Sequence, residues 1–114
     1  MVGDCLFCKI AAKELGSEVV KETDNVLAFK DINPGAPTHV LVIPKEHIAS
    51  AQDIGPEHGE LLAEMFGVMA DLAEGAGLER GHRLVTNVGP DAGQTVHHLH
   101  FHVLGGRPMS WPPG

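Results

Sequence analysis

The chain has 114 residues and a mass of 12.1 kDa, the size of one domain, residues 1–114, able to bury a core without disulfide or metal staples. Hydrophobic residues make up 43% and charged residues 20%, a balance that excludes disorder as the default. Fifteen acidic against eight basic side chains give a formal charge of −7, which argues against general nucleic-acid binding, since that needs a basic footprint.

Met1-Val2-Gly3-Asp4 lacks a basic leader and no apolar run approaches a membrane span. The expectation is a cytoplasmic protein with no membrane partner. Leu6–Leu15 carries apolar residues at helical spacing and stops at Gly16, which predicts a short helix. Val19–Glu22 and Val26–Lys30 predict two short strands, with Thr23-Asp24-Asn25 as the turn. Asp31–Pro37 reads as a loop, because two prolines and a glycine disfavour regular pairing. Thr38–Ile43 predicts a buried strand ended by Pro44.

The main helix is expected between Pro56 and Gly77. Leu61, Leu62, Met65, Met69 and Leu72 repeat at three- and four-residue steps, and Glu57, Glu60, Glu64, Asp71 and Glu74 mark the wet side. His82–Asn87 predicts a fourth strand, Gly89–Thr95 a loop, and His98–Leu104 a fifth strand. The sum is an α+β domain: a mainly antiparallel five-stranded sheet packed with one long helix and a short N-terminal helix. Met65 and Met69 read as core, His58 and His82 as surface histidines, and Trp111 as a satellite packing residue.

Eight histidines are the compositional excess, and four of them fall between positions 97 and 102. On the fifth strand, alternation puts His98, His100 and His102 on one face and Leu99, Phe101 and Val103 on the other. The apolar face is expected to cover the long helix. Three readings of the histidine face stand open. A tri-histidine metal site is hindered by reach, since alternate strand residues lie about 6.6 Å apart and the outer pair about 13 Å, against metal bonds of about 2 Å. Nucleophilic catalysis would use the central imidazole, with its neighbours holding an anion and orienting the ring. A solvated, histidine-rich strand is the third. The Gly89–Thr95 loop leads directly into this strand. Its glycines allow backbone amides to turn toward an anion and Thr95 adds a hydroxyl, so beside the histidines it reads as an oxyanion or phosphate cradle.

With these residues in place, the sequence resembles the histidine triad (HIT) family, and within it the HINT branch of nucleotide-binding hydrolases and transferases. Phe29–His39 resembles the family's nucleoside-side segment and Val42–Ile48 follows in the expected order. His98-Leu99-His100-Phe101-His102-Val103-Leu104 is similar to the family signature, and Gly105-Gly106-Arg107 with Trp111-Pro112-Pro113-Gly114 to the HINT-type tail. The resemblance implies a homodimer that binds a purine nucleotide such as AMP and cleaves nucleoside 5′-phosphoramidates of the adenosine type. The cleavage would pass through a covalent nucleotidyl-histidine, without a metal in the chemistry. By that likeness His100 is the nucleophile, His102 contacts the phosphate and His39 helps orient the catalytic imidazole. Asn87, Gly93 and Thr95 surround the phosphate, Asp31 accepts from the ribose hydroxyls, and Phe7, Ile10, Phe29 and Ile32 wall the base. Thr95 stands where serine is common, and His97 where an aromatic is frequent. Arg107 and His97 receive no role. The alternatives are a dinucleoside polyphosphate hydrolase, or a zinc-stabilised nucleotide-binding or scaffolding protein with vestigial catalysis.

Cys5 and Cys8 are too few and too close for a disulfide framework. Their spacing suits half of a zinc site, and a redox pair is disfavoured because no strand precedes it. Two inert thiols under a helix are the remaining reading. Bacterial members of the resembled family imply His47 and His98 as the other two ligands of a structural zinc.

Overall fold

The computed structural model describes residues 4–114, so the reading of Met1-Val2-Gly3 lies outside the described residues. The elements in chain order are α1 (Leu6–Ala11), β1 (Val19–Glu22), β2 (Val26–Lys30), β3 (Thr38–Pro44), α2 (Gly59–Gly75), β4 (His82–Val85) and β5 (Phe101–Gly105), with short 3₁₀ turns at Ala51–Asp53, Pro56–His58 and Pro90–Ala92. The strands form one five-stranded antiparallel sheet in the order β1-β2-β3-β5-β4. This is the α+β architecture expected, with one long helix and a short N-terminal one.

Period-two alternation sorts the central strands onto two cores. Val26, Ala28, Val40, Val42, Leu99 and Val103 pack against Met65, Val68 and Met69 of α2. On the opposite face Leu27, Phe29, Leu41 and Ile43 pack against Phe7 and Ile10 of α1, together with Cys5 and Cys8. With apolar matter on both faces, β2 and β3 are almost continuously buried. Each fully buried large side chain contributes about 1.5–3 kcal/mol, so these two layers hold the sheet. Met65 and Met69 are core residues, as expected, and the apolar face of the histidine segment does cover α2.

Two regions differ from expectation. Helix α1 stops at Ala11 rather than Leu15, because Lys13 takes a left-handed conformation (φ 65°). Its amide then reaches Ile10 O, and the Glu14 amide reaches Lys9 O at 2.8 Å, the double closure of a Schellman end. The Lys13 ammonium and that of Lys45 share the Glu22 carboxylate, each at 2.7 Å, tying α1 and β3 to β1. The two lysines hold the Glu22 carboxyl down at about 2.

The second difference lies at the histidine segment. Strand pairing begins at Phe101 and not His98, and β4 ends at Val85 and not Asn87. Thr86 Oγ1 donates to the His100 carbonyl at 2.8 Å, and the Leu99 amide donates to Ile48 O at 2.6 Å. Those bonds take the place of ladder bonds, holding His100 to the end of β4 and Leu99 to the segment after β3. Two side-chain readings also change. His58 is largely buried and accepts the Gly55 amide at 2.9 Å, capping the turn before α2. Trp111 packs on nothing comparable to a core, being 82% exposed.

Candidate functional site

The α1-side face of the sheet gathers His98, His100, His102 and His39. His100 is buried, and its Nδ1 lies 2.7 Å from the His98 carbonyl oxygen. A carbonyl only accepts, so Nδ1 carries the proton and Nε2 holds the free lone pair (a tautomer assigned from the hydrogen bonds). The same logic runs through the neighbouring pair. The Gly35 amide donates to His39 Nδ1 at 2.9 Å, which places the His39 proton on Nε2. That proton points to His102 Nδ1 at 2.9 Å, with Asp31 Oδ2 at 3.4 Å from the same nitrogen. His102 therefore keeps its own proton on Nε2. Burial, then the neighbouring His100 and His39, push the His102 imidazolium down to about 4, with Asp31 opposing. His102 is neutral at pH 7.

Asp31, His39 and His102 bring three donor atoms together, as a metal site would. The ring centres of His39 and His102 are 5.1 Å apart, however, and the bonded nitrogens 2.9 Å. With each nitrogen about 1.1 Å from its ring centre, those values require a nearly collinear N–H···N arrangement. The His39 Nε2–H and the His102 Nδ1 lone pair face each other and not a shared ion. This cluster is a hydrogen-bond chain.

Of the four residues expected to wall the base, three lie in one cluster and the fourth on a loop. Phe7, Ile10 and Phe29 are buried together, and Phe7 stands edge-on to Phe29 at 5.6 Å and to His100 at 5.0 Å. Ile32 is 91% exposed on the loop after β2, outside that cluster. A cavity of about 590 Å³ lies on the α2 side instead, between Lys21, Lys30, Thr38, Val40 and Leu72, with Asp31 and His39 bordering it.

The loop before the histidines is built differently from a simple amide cradle. Gly89 (φ 85°) and Gly93 (φ 89°) take conformations that favour glycine. The Gly93 amide goes to Pro90 O and the Gln94 amide to Gly89 O. The Gly89 amide goes to Gln94 Oε1 at 3.0 Å, and Gln94 Nε2 donates to Ala49 O and Val96 O. Three loop amides are thus spent internally. The outward features are the exposed Thr95 and the open space beside Gly93, where a Cβ would meet nothing. Asn87 is half-buried, two residues past β4.

Cys5, Cys8, His47 and His98 converge with all four ligand atoms within 4.8 Å of one another. Cys5 Sγ lies 3.2 Å from His98 Nδ1, and Cys8 Sγ 3.2 Å from His47 Nδ1 and 3.5 Å from His98 Nδ1. Tetrahedral zinc, with bonds of about 2.3 Å to sulfur and about 2.0 Å to nitrogen, sets such pairs about 3.5 Å apart. His98 Nε2–H donates to Pro44 O at 2.8 Å, which orients the ring and leaves Nδ1 free to ligate. Burial lowers the His98 imidazolium and favours the neutral, ligating form. The donor set and its spacing fit zinc.

Sequence reasoning missed Gln94, Gly35 and Thr86. Each acts by a bond to or from the main chain, and such bonds follow no residue pattern.

Comparison with known proteins agrees with this arrangement. Residues 4–111 match the family described as scavenger mRNA decapping enzyme C-term binding. The chain is 48% identical over 111 residues to a 14 kDa zinc-binding protein of Zea mays, covering 96% of this chain and 87% of that one. Among solved structures it is similar to a HIT family hydrolase of Legionella pneumophila Philadelphia 1, with a TM-score of 0.96 and 54% identity over 97% of this chain and 100% of that one. A histidine triad nucleotide-binding protein of Candida albicans gives a TM-score of 0.81 and 33% identity, over 96% of this chain and 83% of that one.

Proposed function

The chain belongs to the histidine triad (HIT) family, and from that premise we propose that it hydrolyses nucleoside 5′-phosphoramidates of the adenosine type through a covalent nucleotidyl-histidine at His100. The observation that carries this reading is the posture of His100: Nδ1–H pinned on the His98 carbonyl, Nε2 free, and an aromatic edge at its side. A neutral imidazole so held attacks phosphorus through Nε2 as the P–N bond breaks. The leaving amine takes its proton from water as it departs, and neutral His102, whose free donor is Nε2–H, contacts the phosphate. Water then cleaves the phosphorus–histidine bond and releases the nucleoside monophosphate.

In this reading Phe7, Ile10, Phe29 and Ile32 wall the base, Asp31 accepts from the ribose hydroxyls, and Asn87, Gly93 and Thr95 surround the phosphate. Cys5, Cys8, His47 and His98 would hold a structural zinc that joins the N-terminal segment to the catalytic one. The similarity to a zinc-binding relative supports that assignment. A homodimer is part of the reading, supported by the half-exposed Phe66 of α2 beside Phe101 of β5. The free thiols suit a reducing, cytoplasmic setting.

The test is rapid acid-free quenching of the chain with adenosine 5′-phosphoramidate, followed by intact mass. An added adenylate that disappears with turnover supports the reading, and turnover without any adduct on His100 overturns it. The decapping-type family match favours one second reading, cleavage of a pyrophosphate link in a dinucleoside polyphosphate. Side-by-side kcat/KM values for the two substrate classes separate them.

A further inference from the structure

Strand β5 ends in Gly105-Gly106-Arg107, a motif with no part in the chemistry above. Gly105 lies opposite Thr38 of β3 and His82 of β4. A Cβ there would stand 2.6 Å from a Leu78 methyl, and one on Gly106 would stand 2.8 Å from Pro37 Cβ, with φ at 94° besides. Gly106 lets the chain pass this close to Pro37 of the Asp31–Pro37 loop and turn, while Gly105 leaves room for the Leu78 side chain. The turn delivers Arg107. Its Nη2 donates to the Gly35 carbonyl at 2.9 Å and its Nη1 to the Pro108 carbonyl at 3.0 Å. Among the described residues this guanidinium pairs with two main-chain oxygens and forms no ion pair with a carboxylate.

Gly35 is the residue whose amide sets the His39 tautomer, and His39 in turn donates to His102. We propose that Arg107 is a positioning residue: the Gly-Gly-Arg turn clamps the Gly35 peptide and so holds His39 as an Nε2–H donor to His102. Glycine and two prolines leave the loop few side-chain contacts of its own, so an external charged donor is what holds it. Remove the clamp and the Gly35 amide drifts from Nδ1. His39 then exchanges between tautomers, and in one of them it has no proton to give His102. The kinetic consequence rests on the phosphoramidase reading, whereas the tautomer does not.

The experiment compares wild type with Arg107→Ala, Arg107→Lys and Gly106→Ala, using imidazole nitrogen NMR at a fixed neutral pH together with steady-state kinetics on adenosine 5′-phosphoramidate. Wild type is expected to show His39 as a single tautomer, with Nδ1 unprotonated. Arg107→Ala should mix the tautomers and lower kcat about fivefold while KM moves less than about twofold, as befits loss of one charge-assisted bond near the surface. Gly106→Ala should reproduce that signature with the arginine still present. Arg107→Lys, which keeps a donor within reach of Gly35 O, should restore most of both readouts. An Arg107→Ala protein with the wild-type kcat and an unmixed His39 spectrum overturns the proposal. A wild type that turns over no phosphoramidate defeats the proposed function, and the nitrogen spectra then decide the clamp alone.

Discussion

His98 serves His100 with its backbone and faces two thiols with its ring: the carbonyl takes Nδ1–H of His100 at 2.7 Å, while its own Nδ1 sits 3.2 Å from Cys5 Sγ and 3.5 Å from Cys8 Sγ. One residue therefore ties the metal-fitting cluster to the imidazole proposed to attack phosphorus. Phe7, between the two cysteines in sequence, touches both histidine rings edge-on and strengthens the tie.

The role of His100 is open to a direct test. Replacing it with alanine or asparagine removes the nucleophile and leaves the Phe7–Phe29 wall in place. Adenylate release should fall at least about a thousandfold. Calorimetry should show AMP bound nearly as before. Retained turnover in either variant would refute the mechanism.

The metal cluster predicts stoichiometry. Purified protein should carry about one zinc per chain by elemental analysis, and Cys5→Ser should lose most of it together with several degrees of melting temperature. Burial raises the Cys5 thiol, so zinc uptake by stripped protein should release protons, measurable in a weakly buffered titration. Native protein that holds no zinc would remove the site.

His102 makes stability depend on pH. Its folded value of about 4 lies below the ordinary 6.5, so between those values the unfolded chain takes up a proton that the folded chain refuses. Stability should therefore be full above pH 6.5 and decline as pH falls toward 4. Thermal melts across that range should show the decline in wild type and a shallower one in His102→Gln. Equal slopes would exclude His102 as the cause.

Gln94 is the buried brace of the loop ahead of the histidines. Leucine at this position leaves the Gly89 amide and the Ala49 and Val96 carbonyls without their partner. The cost should be about 1–3 kcal/mol in urea unfolding. If the loop holds phosphate, AMP affinity should weaken with it, and a Gln94→Leu protein of unchanged stability would show that the brace is idle.

Strands β1 and β2 were legible to the residue, because short β-rich runs flanked Thr23-Asp24-Asn25, whose Thr23 hydroxyl caps the turn and meets Glu64 of α2. The histidine face and the metal-fitting set were legible too, through alternation, spacing and family likeness. Helix α1 was read too long because a left-handed lysine carries no compositional mark, glycine being the usual sign. The early start given to the fifth strand has a similar origin: a threonine hydroxyl took a carbonyl that the ladder would have used. Gln94 and Arg107 stayed silent because their partners are carbonyls and amides, which every residue has.

The histidine segment alternates between a face of imidazoles and a face bearing Leu99 and Val103, both buried against α2. Heritable change can therefore act on the two sides separately. Substitutions at Leu99 or Val103 are expected to shift how long the molecule survives heat, whereas those at His100 are expected to shift what it does while it survives. Such a segment lets a lineage adapt its thermal tolerance without renegotiating its reaction.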